Sequence, residues 1–256
     1  MPAGQHRFYA GRGINVNISL KVIRTGSTDG NCYAICADDE ILLLDFGCRY
    51  QQILEGIDFK ISNVVGALLT HIHGDHAKSY KEVSRAGIPV YANRETAEQL
   101  EMAKVAPEKI AIPIGRFLVT AFYVPHDDTP NYAYLITLPN GEKLLYATDF
   151  GYLPYTFKKT KITHFLIECN HLDMAPDKTS GKYKHSIKGH SSLSTVKKIM
   201  QINKSPNLSN VILCHLSESW GNPEIMQHEI ETVVGDEVSV KIAHSGLICE
   251  LSEIPF

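Results

Sequence analysis

Six cysteines, one tryptophan and no aliphatic run longer than Ile41 to Leu44 set the first limits on this chain. No two cysteines form a CxxC pair, and Cys32, Cys36, Cys48, Cys169, Cys214 and Cys249 mostly sit among apolar neighbours. That suits reduced, packed thiols and argues against a disulfide frame or a structural zinc knot. Without a stretch of about 20 apolar residues, no membrane-spanning helix is expected. The opening MPAGQHRFYAGRGINVNISL has no apolar signal core, so the expected location is the cytoplasm and no membrane partner is expected. Positive charge is not in excess either. The 25 Lys and Arg face 28 Asp and Glu, a formal net charge of -3, so a polyanion would have to be met by a local patch. No repeat, low-complexity segment or domain linker is visible, which predicts an arm over 1–17 and a single domain over 18–256.

What is present is ordinary globular material, 44% hydrophobic and 21% charged, arranged as alternating strands and helices. Strands are expected at 18–25, 32–36, 40–47, 88–92, 117–124, 133–138, 143–148, 164–168 and 211–214, with a last long strand over 238–251. Helices are expected at 51–56, 78–86, 94–104, 192–202 and 223–234. "PNG" at 139–141 supplies a hairpin turn. Strand runs in both halves with helices between them fit two packed sheets flanked by helices.

One stretch does not fit a purely structural role. "LLTHIHGDH" (68–76) places His71, His73, Asp75 and His76 directly behind an apolar strand, where desolvating them is unfavourable unless a partner compensates. Neutral imidazoles with a carboxylate are a ligand set for zinc, manganese or iron. Four ligands in six residues crowd one ion but can serve two in pairs, so further ligands should follow downstream. His126 in "YVPHDD", Asp149 in "LLYATDFGY" and His215 in "VILCHLS" each follow a strand-like run. Any one of them alone reads more readily as a satisfied turn residue.

Taken in order, these segments resemble the metallo-β-lactamase-fold hydrolases. Asp45 in "LLLDFG" matches the first motif of that superfamily, His71 to His76 the second, and His126, Asp149 and His215 the third, fourth and fifth. The resemblance covers nearly the whole chain and implies an α/β four-layer αββα sandwich. It implies two divalent metal ions, zinc or manganese. His71, His73 and His126 would hold one ion, Asp75, His76 and His215 the other, and Asp149 would bridge them. Asp45 would orient the metal-binding turn without touching a metal; a simple strand-end cap is its other reading.

"IECN" (167–170) and "KGHSSLS" (188–194) add Glu168 and His190, which resemble the acid and histidine motifs of the phosphodiesterase branch containing tRNase Z and the WalJ/YycJ-like exonucleases. A glutamate hydrogen-bonded to an imidazole raises its basicity, so His190 could protonate a leaving alkoxide. The alternative is that His190 belongs to the cap of the helix starting near Ser192. The candidate catalytic residues are Asp75, Glu168 and His190. "GSTDGNCY", "ECNHLDM" and "LCHLSES" bring the chain closest to the WalJ/YycJ-like group, whereas "APDKTSGKYKH" departs from it and leaves substrate choice open.

Lys158, Lys159, Lys161, Lys178, Lys182, Lys184 and Lys188 outnumber the acids of the same region and surround Tyr183. Lys182, Tyr183, Lys184 and Lys188 are therefore candidate substrate-binding residues, a basic track for phosphates or else a solvated loop. Tyr152, Tyr155 and Phe157 could stack on a base. The expected activity is metal-dependent phosphodiester hydrolysis, with DNA digested by an exonuclease as the leading substrate. A small cyclic nucleotide is the alternative, and a thioester or lactone a more distant one. Because the resembled branch commonly forms dimers, a homodimer is one expectation.

Overall fold

A computed structural model of the chain describes residues 16–27, 29–173 and 189–252. The described residues form fourteen strands in two sheets. In the first sheet, β1 (Ile18–Arg24) alternates inward and outward positions, as a strand covered on one face requires. It pairs antiparallel with β2 (Cys32–Ala37) on one side and with β14 (Ile248–Glu250) on the other. From β3 (Glu40–Leu44) onward the sheet turns parallel through β4 (Val64–Leu68), β5 (Val90–Ala92) and β6 (Lys104–Val105). The second sheet mirrors this plan. β7 (Ile112–Ile114), β8 (Phe117–Val124), β9 (Asn131–Thr137) and β10 (Lys143–Ala147) are antiparallel neighbours. β10, β11 (His164–Glu168), β12 (Asn210–Cys214) and β13 (Ser239–Ile242) run parallel.

The inner faces meet in one core that contains Leu20, Leu42, Val119, Tyr134 and Tyr146. On the outer face of the first sheet, Leu43 and Ala67 pack with Ile53 of the helix Tyr50–Gly56 and Val83 of the helix Tyr80–Arg85. On the outer face of the second, Phe165 and Leu213 pack with Val196 and Met200 of the helix Leu193–Asn203 and with Met226 and Ile230 of the helix Pro223–Val234. These are the four αββα layers. Each of the last two helices begins on a side-chain cap: Ser192 accepts from the Thr195 N–H and Asn222 from the Ile225 N–H, with Pro223 at the first helical turn. The cysteines are unpaired, and all but Cys36 are buried. Among the described residues no helix is long and apolar enough to cross a membrane.

Two expectations need correction, and one strand was not expected. Residues 238–251 are not one strand: β13 closes an edge of the second sheet, the chain turns at Gly246 (φ +88°), and β14 closes an edge of the first. The helix expected over 94–104 ends at Gln99, and Lys104–Val105 leaves it to join β5 as an edge strand. The short strand Ile112–Ile114 had no alternation long enough to read.

The parallel halves matter for function, because residues that follow parallel strands gather along one edge of the sheet, where α/β proteins place their sites. Asp45 follows β3, His71 follows β4, Asp149 follows β10, and His215 follows β12. Across β10, β11 and β12 the register pairs Ala147 with Ile167 and Glu168 with Cys214, which brings these strand ends level.

Candidate metal centre

The local backbone explains how the side chains are aimed. Asp45, Asp149 and His215 have φ of 53°, 52° and 54°, a left-handed conformation entered immediately beyond strand ends. Few non-glycine residues adopt it, although Asp and His do so more readily than most, and such strain collects at functional sites. His73 stands at the N-cap of the helix Gly74–Ala77, which places Asp75 and His76 in a single turn.

Two sets of three donor atoms result. One is His71, His73 and His126; the other is Asp75, His76 and His215; a further set joins His71 and His76 to Asp149. Donors about 2.0 to 2.2 Å from one tetrahedral ion stand roughly 3.4 Å apart. The measured separations match: 3.2 Å between His73 Nδ1 and His126 Nε2, 3.5 Å between His76 Nε2 and Asp75 Oδ2, and 3.6 Å between His215 Nε2 and the same oxygen. Asp149 Oδ2 lies 2.5 Å from His76 Nε2 and 3.8 Å from His71 Nε2, between the two sets.

The remaining ring nitrogens are held from outside. His76 Nδ1 donates to Asp45 Oδ2 at 2.8 Å, while Asp45 also accepts from the Thr70 N–H and hydroxyl and from the Tyr146 hydroxyl. His126 Nδ1 donates to the Gly189 carbonyl at 2.7 Å, and His73 Nε2 lies 3.1 Å from the Thr129 hydroxyl. His215 Nδ1 donates to Glu168 Oε1 at 2.8 Å. The carboxylate and carbonyl contacts engage Nδ1 of His76, His126 and His215 and point the opposite nitrogen of each ring at the cluster.

The electrostatics call for a cation. Asp149 and Glu168 are fully buried, and nearby imidazoles hold both ionised against burial, Glu168 down to about 2. Burial, reinforced by neighbouring His76, keeps His71 neutral. Among the described residues, His71 Nε2 and His215 Nε2 are buried without a hydrogen bond, and the buried Asp149 carboxylate is faced by the imidazoles of His76, His190 and His215. Leaving such groups unmatched costs several kcal/mol in a protein interior. The donor chemistry, the orphaned atoms and the spacing therefore fit a divalent-metal centre.

Glu168 and His190 lie on the rim. His190 Nδ1 donates to Glu168 Oε1 at 2.7 Å, and the ring stacks on His215 with centroids 5.3 Å apart. Burial disfavours its imidazolium, but Glu168 and Asp149 outweigh that and raise its pKa to about 11. Glu168 Oε2 accepts from the N–H groups of Phe150 and Ser191 and from the Ser191 hydroxyl. His190 plays no part in the helix cap, which is Ser192. The atoms of Asp149, Glu168, His190 and His215 are also close enough to suggest a cation site. Hydrogen bonds already join Glu168 to both rings, so that set reads as the support of the other two.

The basic and aromatic expectations fare differently. Lys182, Tyr183, Lys184 and Lys188, like Lys178, lie outside the described residues, as does nearly all of the arm at 1–17. Lys158, Lys159 and Lys161 are not beside the cluster. Their turn is tied to Lys143, whose ammonium donates to the Thr160 carbonyl at the start of β10, the opposite end of the sheet from Asp149. Phe157 is a core residue at 4% exposure, and Tyr155 packs on Phe122 and hydrogen-bonds Glu108, so neither is presented to a base. Tyr152 remains exposed. Sequence reasoning missed Thr70, Thr129, Tyr146 and the Gly189 carbonyl. Only Thr70 carried a signal, its place inside "LLTHIHGDH".

Comparison with known proteins places this geometry in context. The family profile described as the metallo-beta-lactamase superfamily matches residues 25–161. Exodeoxyribonuclease YycJ of Bacillus anthracis is 29% identical over 189 residues, covering 68% of this chain and 70% of that protein. The metallo-beta-lactamase fold protein YhfI from Bacillus subtilis superposes with a TM-score of 0.73 at 19% identity, over 91% of this chain and 99% of that one. Unliganded yeast PDE1 superposes with a TM-score of 0.69 at 13% identity, over 92% and 100% of the respective chains.

Proposed function

Because the chain belongs to the metallo-beta-lactamase superfamily, we propose that it is a metal-dependent phosphodiester hydrolase acting on nucleic acid, with DNA digested from an end as its reaction. The observation that carries this reading is the hydrogen-bonded Glu168–His190 pair set against two donor triads that flank Asp149. A thioester hydrolase, whose thiolate departs without a proton, has no need of such a donor. The likeness to an exodeoxyribonuclease favours DNA over a cyclic nucleotide.

His71, His73 and His126 would hold one divalent ion, Asp75, His76 and His215 the other, and Asp149 would face both. Zinc and manganese suit this set of imidazoles and carboxylates. When bound, the ions supply Lewis acidity that activates water and offsets charge on the phosphoryl group. Asp45 holds His76 in the tautomer that keeps Nε2 available. Glu168 accepts the His190 Nδ1 proton and keeps the ring cationic, so that His190 can deliver a proton to the departing alkoxide. Its ring edge is 11% exposed, enough to meet a substrate. Lys182, Tyr183, Lys184 and Lys188 are assigned to phosphate and base contacts on a polymer, and the chain is proposed to act as one domain over 18–256, in the cytoplasm, as a homodimer.

The test offers the metal-loaded protein duplex DNA, a cyclic nucleotide and a thioester side by side. DNA should be shortened fastest. Replacing Lys182, Lys184 and Lys188 with Gln should weaken DNA binding and flatten its salt dependence, with little effect on a small activated phosphodiester. Preferential turnover of the cyclic nucleotide or the thioester would refute the nuclease reading.

A further inference from the structure

The connection between β1 and β2 touches every member of one donor triad. The Asn31 N–H donates to the Asp75 carbonyl at 2.7 Å, the Asn31 amide nitrogen stands 3.2 Å from His76 Nε2, and the His215 N–H donates to the Thr25 hydroxyl at 3.3 Å. Tyr33 closes the circuit: its hydroxyl lies 2.8 Å from Thr25 Oγ1 and donates to Asn31 Oδ1 at 3.2 Å. The contacts form one connected chain, from His215 N–H through Thr25, Tyr33 and Asn31 to His76, and linked hydrogen bonds polarise one another. Asn31 and Tyr33 are fully buried, so water cannot substitute.

The backbone beneath is equally tight. A Cβ on Gly30 would stand 2.2 Å from the Gly47 carbonyl, and one on Gly47 would stand 1.6 Å from the carbonyl of Asp75. The loop, the end of β3 and the metal-binding turn are thus stacked backbone to backbone. The other triad is held by different groups: Thr70 beside His71, Thr129 beside His73, and the Gly189 carbonyl at His126.

We propose that Thr25, Tyr33 and Asn31 are positioning residues that set the affinity of one metal position, that of Asp75, His76 and His215, independently of the other. The proposal rests on the two-metal reading above. Asn31 braces His76 on its Nε2 side, its amide nitrogen 3.2 Å from that atom, while Asp45 holds the ring at Nδ1. The amide also donates to the Gly26 carbonyl at 3.2 Å, so it retains a partner when Nε2 serves an ion. Tyr33 and Thr25 hold Asn31 and the His215 backbone at a fixed distance from each other. Loss of such supports lowers metal affinity about 10- to 100-fold.

Two backgrounds separate the positions. His126→Ala leaves the Asp75, His76 and His215 position as the stronger site, and Asp75→Ala leaves the His71, His73 and His126 position. The metal-free full-length chain is titrated with zinc against a competing chelator. Tyr33→Phe and Asn31→Ala should each weaken zinc binding on the order of 10- to 100-fold in the His126→Ala background and leave it unchanged in the Asp75→Ala background. Thr25→Val supplies a third variant should Tyr33→Phe fail to fold. Equal weakening in both backgrounds, or none in the first, overturns the proposal while the two-metal centre stands. A parent chain that binds fewer than two zinc ions overturns the two-metal reading, and this inference with it.

Discussion

At the residue scale, one carboxylate serves two histidines. Glu168 Oε1 accepts from His190 and from His215, while Oε2 accepts from two N–H groups and a hydroxyl, so the group is surrounded entirely by donors. An amide there turns its N–H groups either toward two backbone N–H donors or toward the two imidazoles, which must then move their protons to Nε2. His190→Ala should retain full metal content and slow cleavage of an alkoxide-releasing phosphodiester on the order of 10² to 10⁴-fold, with far less effect on an aryl phosphodiester that departs without a proton. Glu168→Gln should show the same selectivity and, unlike His190→Ala, release metal because His215 loses its anchor. Rates on the two substrates with elemental analysis of both variants check this. Equal slowing of both substrates by His190→Ala would remove the proton-donor role. The gathering of His71, His73, Asp75, His76, His126, Asp149 and His215 into one cluster was legible because each is a metal-binding residue type placed behind an apolar run. The second duty of Glu168 was not, since nothing in "IECN" shows that β12 lies beside β11.

At the element scale, the centre is built where strands stop. Short left-handed breaks after β3, β10 and β12 turn Asp45, Asp149 and His215 inward, and the backbone between them leaves no room for added atoms. Gly47→Ala should lower the thermal midpoint and the metal content together, because its Cβ would collide with the Asp75 carbonyl. Gly74→Ala, two residues away from His76 and facing open space, should change neither. Thermal melts and metal analysis of the pair measure this, and indistinguishable behaviour would refute the close-packed account. Strong alternation made β1 and β8 readable, and a serine ahead of an amphipathic run announced the helix Leu193–Asn203. Lys104–Val105 and Ile112–Ile114 were invisible because strands of two or three residues are decided by the neighbour they pair with. The split of 238–251 between two sheets is likewise a tertiary fact, signalled only by Gly246.

At the scale of the whole molecule, two sheets with matching parallel halves bring residues from 45 to 215 to one edge, and a largely apolar interior holding none of the donor residues carries the stability. A ligand can therefore be removed without dissolving the fold. Net charge of -3 gives no general attraction to DNA, and the exposed lysines at 158, 159 and 161 lie at the wrong end of the sheet to supply it locally. Composition alone could not locate them, because neighbours in sequence on a strand connection can be a full strand length from the strand's other end. The central claim is that His71, His73, Asp75, His76, His126, Asp149 and His215 make one centre for two ions. Elemental analysis after equilibrium dialysis tests it most directly, on the parent chain and on Asp149→Ala. Two divalent ions per folded parent chain, with both weakened in the variant while its far-ultraviolet circular dichroism is unchanged, is the expected result. Fewer than two ions in the parent, or full occupancy in Asp149→Ala, would contradict it.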